Sequence, residues 1–340
     1  MNTKIITIVK YFVLLLIAGV LLVFAFRGMS VNKILQGILQ ADLFWVTLSG
    51  IISIVAFIVR AHRWNLLIKP LGYTPSLKRT TYSLMVGYLA NLAFPRLGEV
   101  SRCAALSKAE SIPFNKLLGT VIVERIIDVI SLLLCILLAA IAEYKRLGKF
   151  FTEKIFDPLK EKIQSLTSSP LLMIVAALLL VTLLVIIFYF YKKYSRKGAA
   201  SGINKIIKGF IDGLRSAGNL KQPGLFIFQS VFIWVLYFLS VYTALFAFPF
   251  TTDLGAGAAL FLLVAGGIGM SAPVQGGIGA YHLLVTEGLI LYGIPAENGL
   301  AFAFTLHGLQ IILVVLLGSL SLFLLFSINK NKPVVQGTNT

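Results

Sequence analysis

The chain has 340 residues, 58% hydrophobic and 13% charged, with a formal net charge of +17 and a mean hydropathy of +0.92. So much apolar surface excludes a soluble domain of this size and makes the chain an all-α polytopic membrane protein. The basic excess argues against a nucleic-acid partner, because Lys and Arg crowd into the connections between apolar runs, the pattern of cytoplasmic loops facing anionic lipid.

Lys4 and Lys10 precede an apolar run from Tyr11 to Phe26. No A-x-A-like cleavage site follows before Arg27, so the run is an uncleaved first helix rather than a signal peptide. A second span covers about Leu43 to Val59 and ends in Arg60-Ala-His-Arg-Trp64, residue types that anchor ordinary helix ends at a membrane surface. The connection from Arg60 to Arg79 holds five Lys/Arg and no acid, which places it in the cytoplasm. The next apolar run, Tyr82–Phe94, has 13 residues, a length suited to re-entry rather than crossing. It leads into Pro95, which cannot continue the helical ladder, and Gly98, expected to free the backbone for a turn. Glu99 and Arg102 open a second, more polar helical piece, and a longer span follows at about Leu117–Ala142.

Residues 192–223 hold eight Lys/Arg against one acid, Asp212, and also belong in the cytoplasm. They fall there only if Tyr82–Phe94 enters and returns on one side. Residues 143–169, with six basic and four acidic residues, are then extracytoplasmic, and Ile155, Phe156, Leu159, Ile163 and Leu166 give them a surface-lying helix. A further span covers Leu171–Tyr191. After it, an apolar stripe from Ile203 to Leu214, with Lys205, Lys208 and Arg215 off the stripe, predicts an in-plane helix on the inner leaflet.

From Gln222 to Asn329 there is no Lys or Arg. Spans at about Leu225–Phe248 and Leu300–Phe326 bracket Gly255–Tyr292, two short apolar halves hinged on Ala272–Gly277. Gly-Gly-Ile-Gly occurs at 266–269 and again at 276–279, on either side of Pro273. Charge does not decide whether this hairpin crosses; the expectation is a second re-entrant pair. The whole is then about six full spans plus two re-entrant broken-helix hairpins in one integral membrane domain, residues 1–330. A short polar tail, 331–340, follows, with both termini cytoplasmic and the chain in the cell (inner) membrane. Units of about 43–142 and 224–327 have opposite orientation, an inverted repeat whose interface is where transporters place their site.

Ionisable groups inside the membrane mark the candidate site. Glu124, Arg125 and Asp128 lie roughly 10–17 Å into their span. Each buried charge costs about 2.5–3.5 kcal/mol, so all three need partners or water. Arg96 and Arg102 are the expected ones, and a guanidinium pair beside a broken helix end also suits a lipid phosphate. Gly98, Glu99, Pro273, Gly276 and Gly277 complete the breaks. Arg60 and Arg63 join the candidates, as do His282 and Glu287 on the second re-entrant piece, suited to a proton or a headgroup, and His307 about one-third into the last helix. A lone His in a bundle is more often simply hydrogen-bonded to a neighbour. A structural ion-pair network that only holds the loop is the alternative.

No metal-ligand spacing, P-loop or catalytic His–Asp pairing occurs, so neither cofactor nor enzymatic activity is expected. Cys103 and Cys135 lie within or beside membrane segments and imply no disulfide. The partners expected are membrane lipids with an anionic or zwitterionic headgroup, with a homo-oligomer or a lipid-modifying enzyme as further possibilities. The rival reading is an integral-membrane enzyme or accessory scaffold acting on lipid-linked phosphate or sugar.

Arg60-x-x-Arg-Trp64, Pro95-Arg-x-Gly-Glu-x-x-Arg102, Glu124-Arg-x-x-Asp128 and Pro273-x-x-Gly-Gly-x-Gly279, in that order, resemble the lysylphosphatidylglycerol synthase transmembrane family. The resemblance covers about residues 5–328. The family comprises the membrane half of the bacterial multiple peptide resistance factor and many stand-alone relatives. The resemblance implies a helical fold with broken helices and a flippase-like role toward lipids. This sequence departs from the longer members in that only Asn329–Thr340 follow the last span. Lysylphosphatidylglycerol synthesis is therefore not expected, and the lipid moved is left open.

Overall fold

The computed structural model describes residues 30–146 and 220–330. The chain divides into two compact units, Met1–Ala142 with Ser216–Thr340, and Glu143–Arg215; the first contains all nine α-helices of the described residues. The expected spans Tyr11–Phe26 and Leu171–Tyr191, the stripes at 155–166 and 203–214, and the tail 331–340 lie outside the described residues. Among the described residues there is no strand, and four helices are long and apolar enough to cross a membrane. The protein is thus an all-α, multi-pass membrane protein.

A short helix absent from the sequence expectations, α1 (Val31–Leu39), opens the described chain. Ile34 packs on Leu300 and Ala301, and Lys33 pairs with Glu297 at 3.6 Å. Asp42 caps α2 (Leu43–Ile68), its Oδ1 accepting the Phe44 N–H at 2.8 Å. This helix corrects the expected end near Val59. It runs on through Arg60 and Arg63 because Trp64, Leu66, Leu67 and Ile68 restore a buried apolar face. A 3₁₀ turn, Lys69–Leu71, ends it. Asn65 fastens the following loop, donating to Pro75 O at 3.2 Å and accepting from the Thr80 hydroxyl at 2.7 Å.

Helices α3 (Leu77–Ala93) and α4 (Gly98–Glu110) form the first broken hairpin. They span about 26 and 20 Å, short of a 30 Å hydrocarbon core. Glu110 at the end of α4 accepts the Ser76 N–H at 2.9 Å and pairs with Arg79 at 3.2 Å, both at the start of α3. The segment therefore enters and leaves on one side, as the charge pattern required. Phe94, forced extended by the proline after it, breaks the ladder (φ −141°). The left-handed residue of the turn is Arg96 (φ 61°), not Gly98. Gly98 serves close packing instead: a Cβ there would meet the Gly87 carbonyl and the Asn91 side chain, and one at Gly87 would lie 2.7 Å from the Gly98 carbonyl. Asn91 Oδ1 accepts the Gly98 N–H at 2.6 Å, which satisfies a helix-start donor.

After α5 (Phe114–Ala142) and, beyond the second unit, α6 (Pro223–Leu245), the second broken hairpin is α7 (Ala256–Ser271) and α8 (Ala280–Ile290). At about 24 and 17 Å these too are short of crossing. The end of α8 lies beside the start of α7, with Gly288 against Phe261 and Leu262, so this hairpin also returns. Between the halves, Gly276 takes the left-handed conformation (φ 55°) inside a 3₁₀ turn, Gln275–Gly277. The last helix is α9 (Ala296–Lys330).

The expected repeat of span, broken hairpin, span is present twice, and the lead helices run antiparallel. The Asp42 N–H donates to Ala247 O at 2.8 Å, Ser49 and Ser53 meet Ser240, and Arg63 approaches Ser230. The closing spans swap partners reciprocally: α5 packs on α7, with Leu132 against Gly267, and α9 packs on α3, with Gly318 against Leu89.

Candidate functional site

The centre of the first repeat is an ion cluster built by α2, α4 and α5. On α2, Arg60, Arg63 and Trp64 are three and four residues apart and share one face. On α5, Glu124 and Asp128 do the same. Glu124 lies about 15 Å from the start of its helix and Arg60 about 12 Å from the end of its own, so the groups meet at matching depth.

Arg60 Nη2 donates to Glu124 Oε1 at 2.7 Å and to Asp128 Oδ2 at 3.0 Å, while Nη1 donates to the Tyr237 hydroxyl at 2.7 Å. Arg63 Nη2 donates to Asp128 Oδ1 at 2.7 Å and lies 3.5 Å from Glu124. Arg102 Nη1 bridges both Glu124 oxygens at 3.3 and 3.0 Å. Its guanidinium carbon stands 4.8 Å from the Trp64 ring centre, a cation–π contact. Trp64 is itself fixed by donating to Thr120 Oγ1 at 2.8 Å. Arg63 and Glu124 are fully buried.

Three guanidinium groups thus face two carboxylates, an excess of one positive charge. Arg60 Nε, Arg63 Nε, and Arg102 Nε and Nη2 are buried donors without a hydrogen-bond acceptor. Buried N–H groups are nearly always satisfied, so four on neighbouring guanidiniums hold unused hydrogen-bonding capacity of the kind an anionic acceptor takes up. Beside the cluster, Arg125 and Glu99 pair at 3.5 Å and Arg125 reaches Asp128 at 4.0 Å, a more exposed edge that adds no net charge. Cys103, buried and packed with Trp64 and Leu106, is a packing group.

The expected set of Arg96, Arg102, Glu124 and Asp128 therefore changes in one member. Arg96 is exposed at the tip of the break and makes no ion pair among the described residues. Arg60 and Arg63 take its place, because α2 reaches past them and carries them to Glu124 and Asp128. Tyr88 and Tyr237, which flank Arg60, were not singled out in the sequence. A signal existed: the apolar residues resuming after Trp64 show that the arginines lie within a helix rather than at its end.

Where α9 packs on the second hairpin, His282 of α8 and His307 of α9 come together, ring centres 4.9 Å apart, and both are buried. His307 Nε2 donates to the Gly276 carbonyl at 2.8 Å. Glu287 is exposed and does not join them, since a separation of five turns it to another face of α8. Pro273, Gly276 and Gly277 form the break itself. A Cβ at Gly276 would lie 2.8 Å from Leu92 Cδ2, so the two breaks touch there, as the repeat predicted. Among the described residues no group of His, Cys, Asp and Glu is suited to hold a metal ion.

Two relatives share part of the sequence. A UPF0104 membrane protein of Methanocaldococcus jannaschii is 30% identical over 126 residues, 36% of this chain and 38% of the relative. A UPF0104 membrane protein of Pyrococcus horikoshii is 24% identical over 134 residues, 38% of this chain and 40% of the relative. The chain thus matches about two-fifths of the length of each. No solved structure matches. The family described as "Lysylphosphatidylglycerol synthase TM region" matches residues 11–318, a stretch that contains both broken hairpins and the whole ion cluster, and the chain belongs to this family.

Proposed function

We propose that the protein moves a lipid with an anionic or zwitterionic headgroup across the cell membrane, with both termini on the cytoplasmic side, and performs no covalent chemistry. The observation that carries this reading is the buried excess of one positive charge with four unsatisfied guanidinium N–H donors. A lipid phosphodiester brings one negative charge and two free acceptor oxygens, and arginine binds such groups through paired, charge-assisted hydrogen bonds. The site lies at membrane depth beside a broken hairpin, and irregular backbone is tolerated at such depth only where it is buried in protein or lines a watery cavity. Inverted repeats with paired breaks give transporters their alternating access. Family membership supports handling of lipid and leaves the headgroup open.

The test is reconstitution into liposomes carrying a fluorescent phosphatidylglycerol whose transbilayer movement is followed by quenching from outside. The Arg102→Gln variant is the informative one. It leaves Arg60 and Arg63 against Glu124 and Asp128, a neutral cluster that folds, and it removes the positive excess. Movement above protein-free liposomes by the unaltered protein and its loss in Arg102→Gln are expected. No movement by the unaltered protein, or equal movement by the variant, would overturn the reading.

A further inference from the structure

Against the second hairpin, α9 holds a basic atom on His307 that its structural role does not use. The Gly276 carbonyl can only accept, so His307 Nε2 carries the proton of their 2.8 Å bond. In the neutral ring Nδ1 is then a bare lone pair, and it is buried without a hydrogen-bond partner. Gln at this position would hold the Gly276 carbonyl equally well; what an imidazole adds is a proton acceptor.

The surroundings are apolar but suited to a cation. From α8, the Tyr281 ring lies 4.8 Å from the His307 ring at an interplanar angle of 34°, and His282 lies 4.9 Å away. His282 stacks on Phe304 at 4.2 Å, and its Nδ1 accepts the Gly279 N–H at 3.3 Å, so that nitrogen is occupied. From α7, Gly266 and Gly269 press on Tyr281, and from α3 Leu92 abuts Gly276. Tyr281 and His282 are the titratable groups facing His307 from these elements; Glu287 is exposed on another face.

We propose that His307 Nδ1 is a proton-binding site coupled to lipid movement, so that a proton gradient drives that movement; the coupling, though not the proton site, rests on the function proposed above. A proton from water adds to the Nδ1 lone pair and gives an imidazolium with two N–H groups. Its bond to Gly276 becomes charge-assisted and roughly twice as strong, and the Tyr281 ring face stabilises the cation. Gly276 is the left-handed hinge of the second break and touches Leu92 of the first. One turn before Leu92, on the same face, Tyr88 lies 6.0 Å from the Arg60 guanidinium carbon. Proton uptake at one break therefore tightens a contact that continues to the ion cluster. Because a buried cation without a counter-charge is costly, the arrival of an anionic headgroup favours the protonated state, and the proton in turn favours the headgroup.

The experiment has two arms. In vesicles of phosphatidylcholine and phosphatidylglycerol, movement of fluorescent phosphatidylglycerol is measured with and without an imposed pH gradient. For the unaltered protein the ratio of the two rates should be roughly fivefold or more, the lower range of coupling between sites. His307→Gln, which keeps the donor to Gly276, should bring the ratio to unity, whereas His62→Gln should retain it. A gradient response surviving in His307→Gln, or no response in an unaltered protein that moves lipid, overturns the proposal.

The second arm needs no transport. The chain has three histidines, so ¹⁵N spectra of the solubilised protein, assigned through His62→Gln and His282→Gln, report His307 directly. With phosphatidylglycerol in the micelles, His307 Nδ1 should gain its proton between about pH 5 and 8, the range of histidine switches, at a higher midpoint than without it. If that shift is seen while no lipid moves in the vesicles, the transport reading fails and the proton site stands. A His307 that stays neutral across the range with lipid present overturns the site itself.

Discussion

The two broken hairpins solve one geometric problem with opposite chemistry. In both, a glycine removes the side chain where two short helices touch: Gly87 and Gly98 in the first, Gly266 and Gly269 against Tyr281 in the second. In both, the break carries a residue in the left-handed region, Arg96 in one and Gly276 in the other. Yet the first hairpin is tied to five buried or half-buried ions, while the second presents one histidine, His282, against His307 of α9, and no Lys or Arg at all. The difference teaches that the repeat supplies a frame and that charge was placed on one half of it. Ions are expensive in the membrane, and keeping them in one cluster lets each compensate another.

The largest expected effect tests whether charge placement really separates the halves. Glu124→Gln leaves three buried guanidiniums with Asp128 alone, and removing one partner of a buried pair costs about 3–5 kcal/mol. His307→Gln in the second half keeps its hydrogen bond and should cost no more than about 1 kcal/mol. Thermal unfolding in detergent, followed by size-exclusion, reads both. Equal losses would mean that the halves are held together in the same way.

Much of this frame was legible because hydropathy and charge are long-range properties of the sequence. A run of 13 apolar residues before Pro95-x-x-Gly98 marked the first hairpin, and the basic loops required its return; two short apolar halves about Pro273-x-x-Gly276 marked the second, whose return no charge decided. What the sequence left hidden was local. Arg60 and Arg63 resembled anchors because nothing in a one-dimensional reading shows that Glu124 and Asp128, some 60 residues later, sit opposite them. Gly98 was expected to turn and Arg96 to pair; the backbone does the reverse, since a glycine beside a proline signals either a turn or a close approach and only packing decides. Helix α1 is nine residues long, and its fit depends on Gly37 lying against Ala301 of a distant helix.

A smaller effect probes the shared geometry. Gly98→Ala drives a methyl group into the Gly87 carbonyl, and Gly269→Ala places one 2.6 Å from Tyr281 Cα. Overpacking of this kind costs about 1–3 kcal/mol, and the two should be alike if the hairpins are true counterparts. Gly119 in α5 has open space within 4 Å, so Gly119→Ala should be neutral or stabilise by up to about 1 kcal/mol through helix propensity. The same melting assay ranks all three. A tolerated Gly269→Ala beside a destabilising Gly98→Ala would break the equivalence.

The smallest expected change in stability carries the sharpest contrast. Gly276 occupies the left-handed region at no steric cost, but Arg96 holds it with a full side chain, at about 1–2 kcal/mol for an L residue. Arg96 makes no ion pair among the described residues that would compensate for this. Strain of this kind motivates the hypothesis that the side chain is held for function; under the function proposed above, an exposed guanidinium at the tip of the break would meet a phosphate before the buried cluster does. Arg96→Gly should therefore melt at the same temperature or slightly higher, gaining up to about 1 kcal/mol, while its movement of fluorescent phosphatidylglycerol falls. Arg96→Lys, which keeps the charge but not the planar fork, should fall between the two in activity. The converse exchange, Gly276→Ala, meets both the left-handed backbone and Leu92 and should destabilise. If Arg96→Gly lowered the melting temperature as Gly276→Ala does, Arg96 would be part of the frame, and the chemical division between the hairpins would begin only at Arg102.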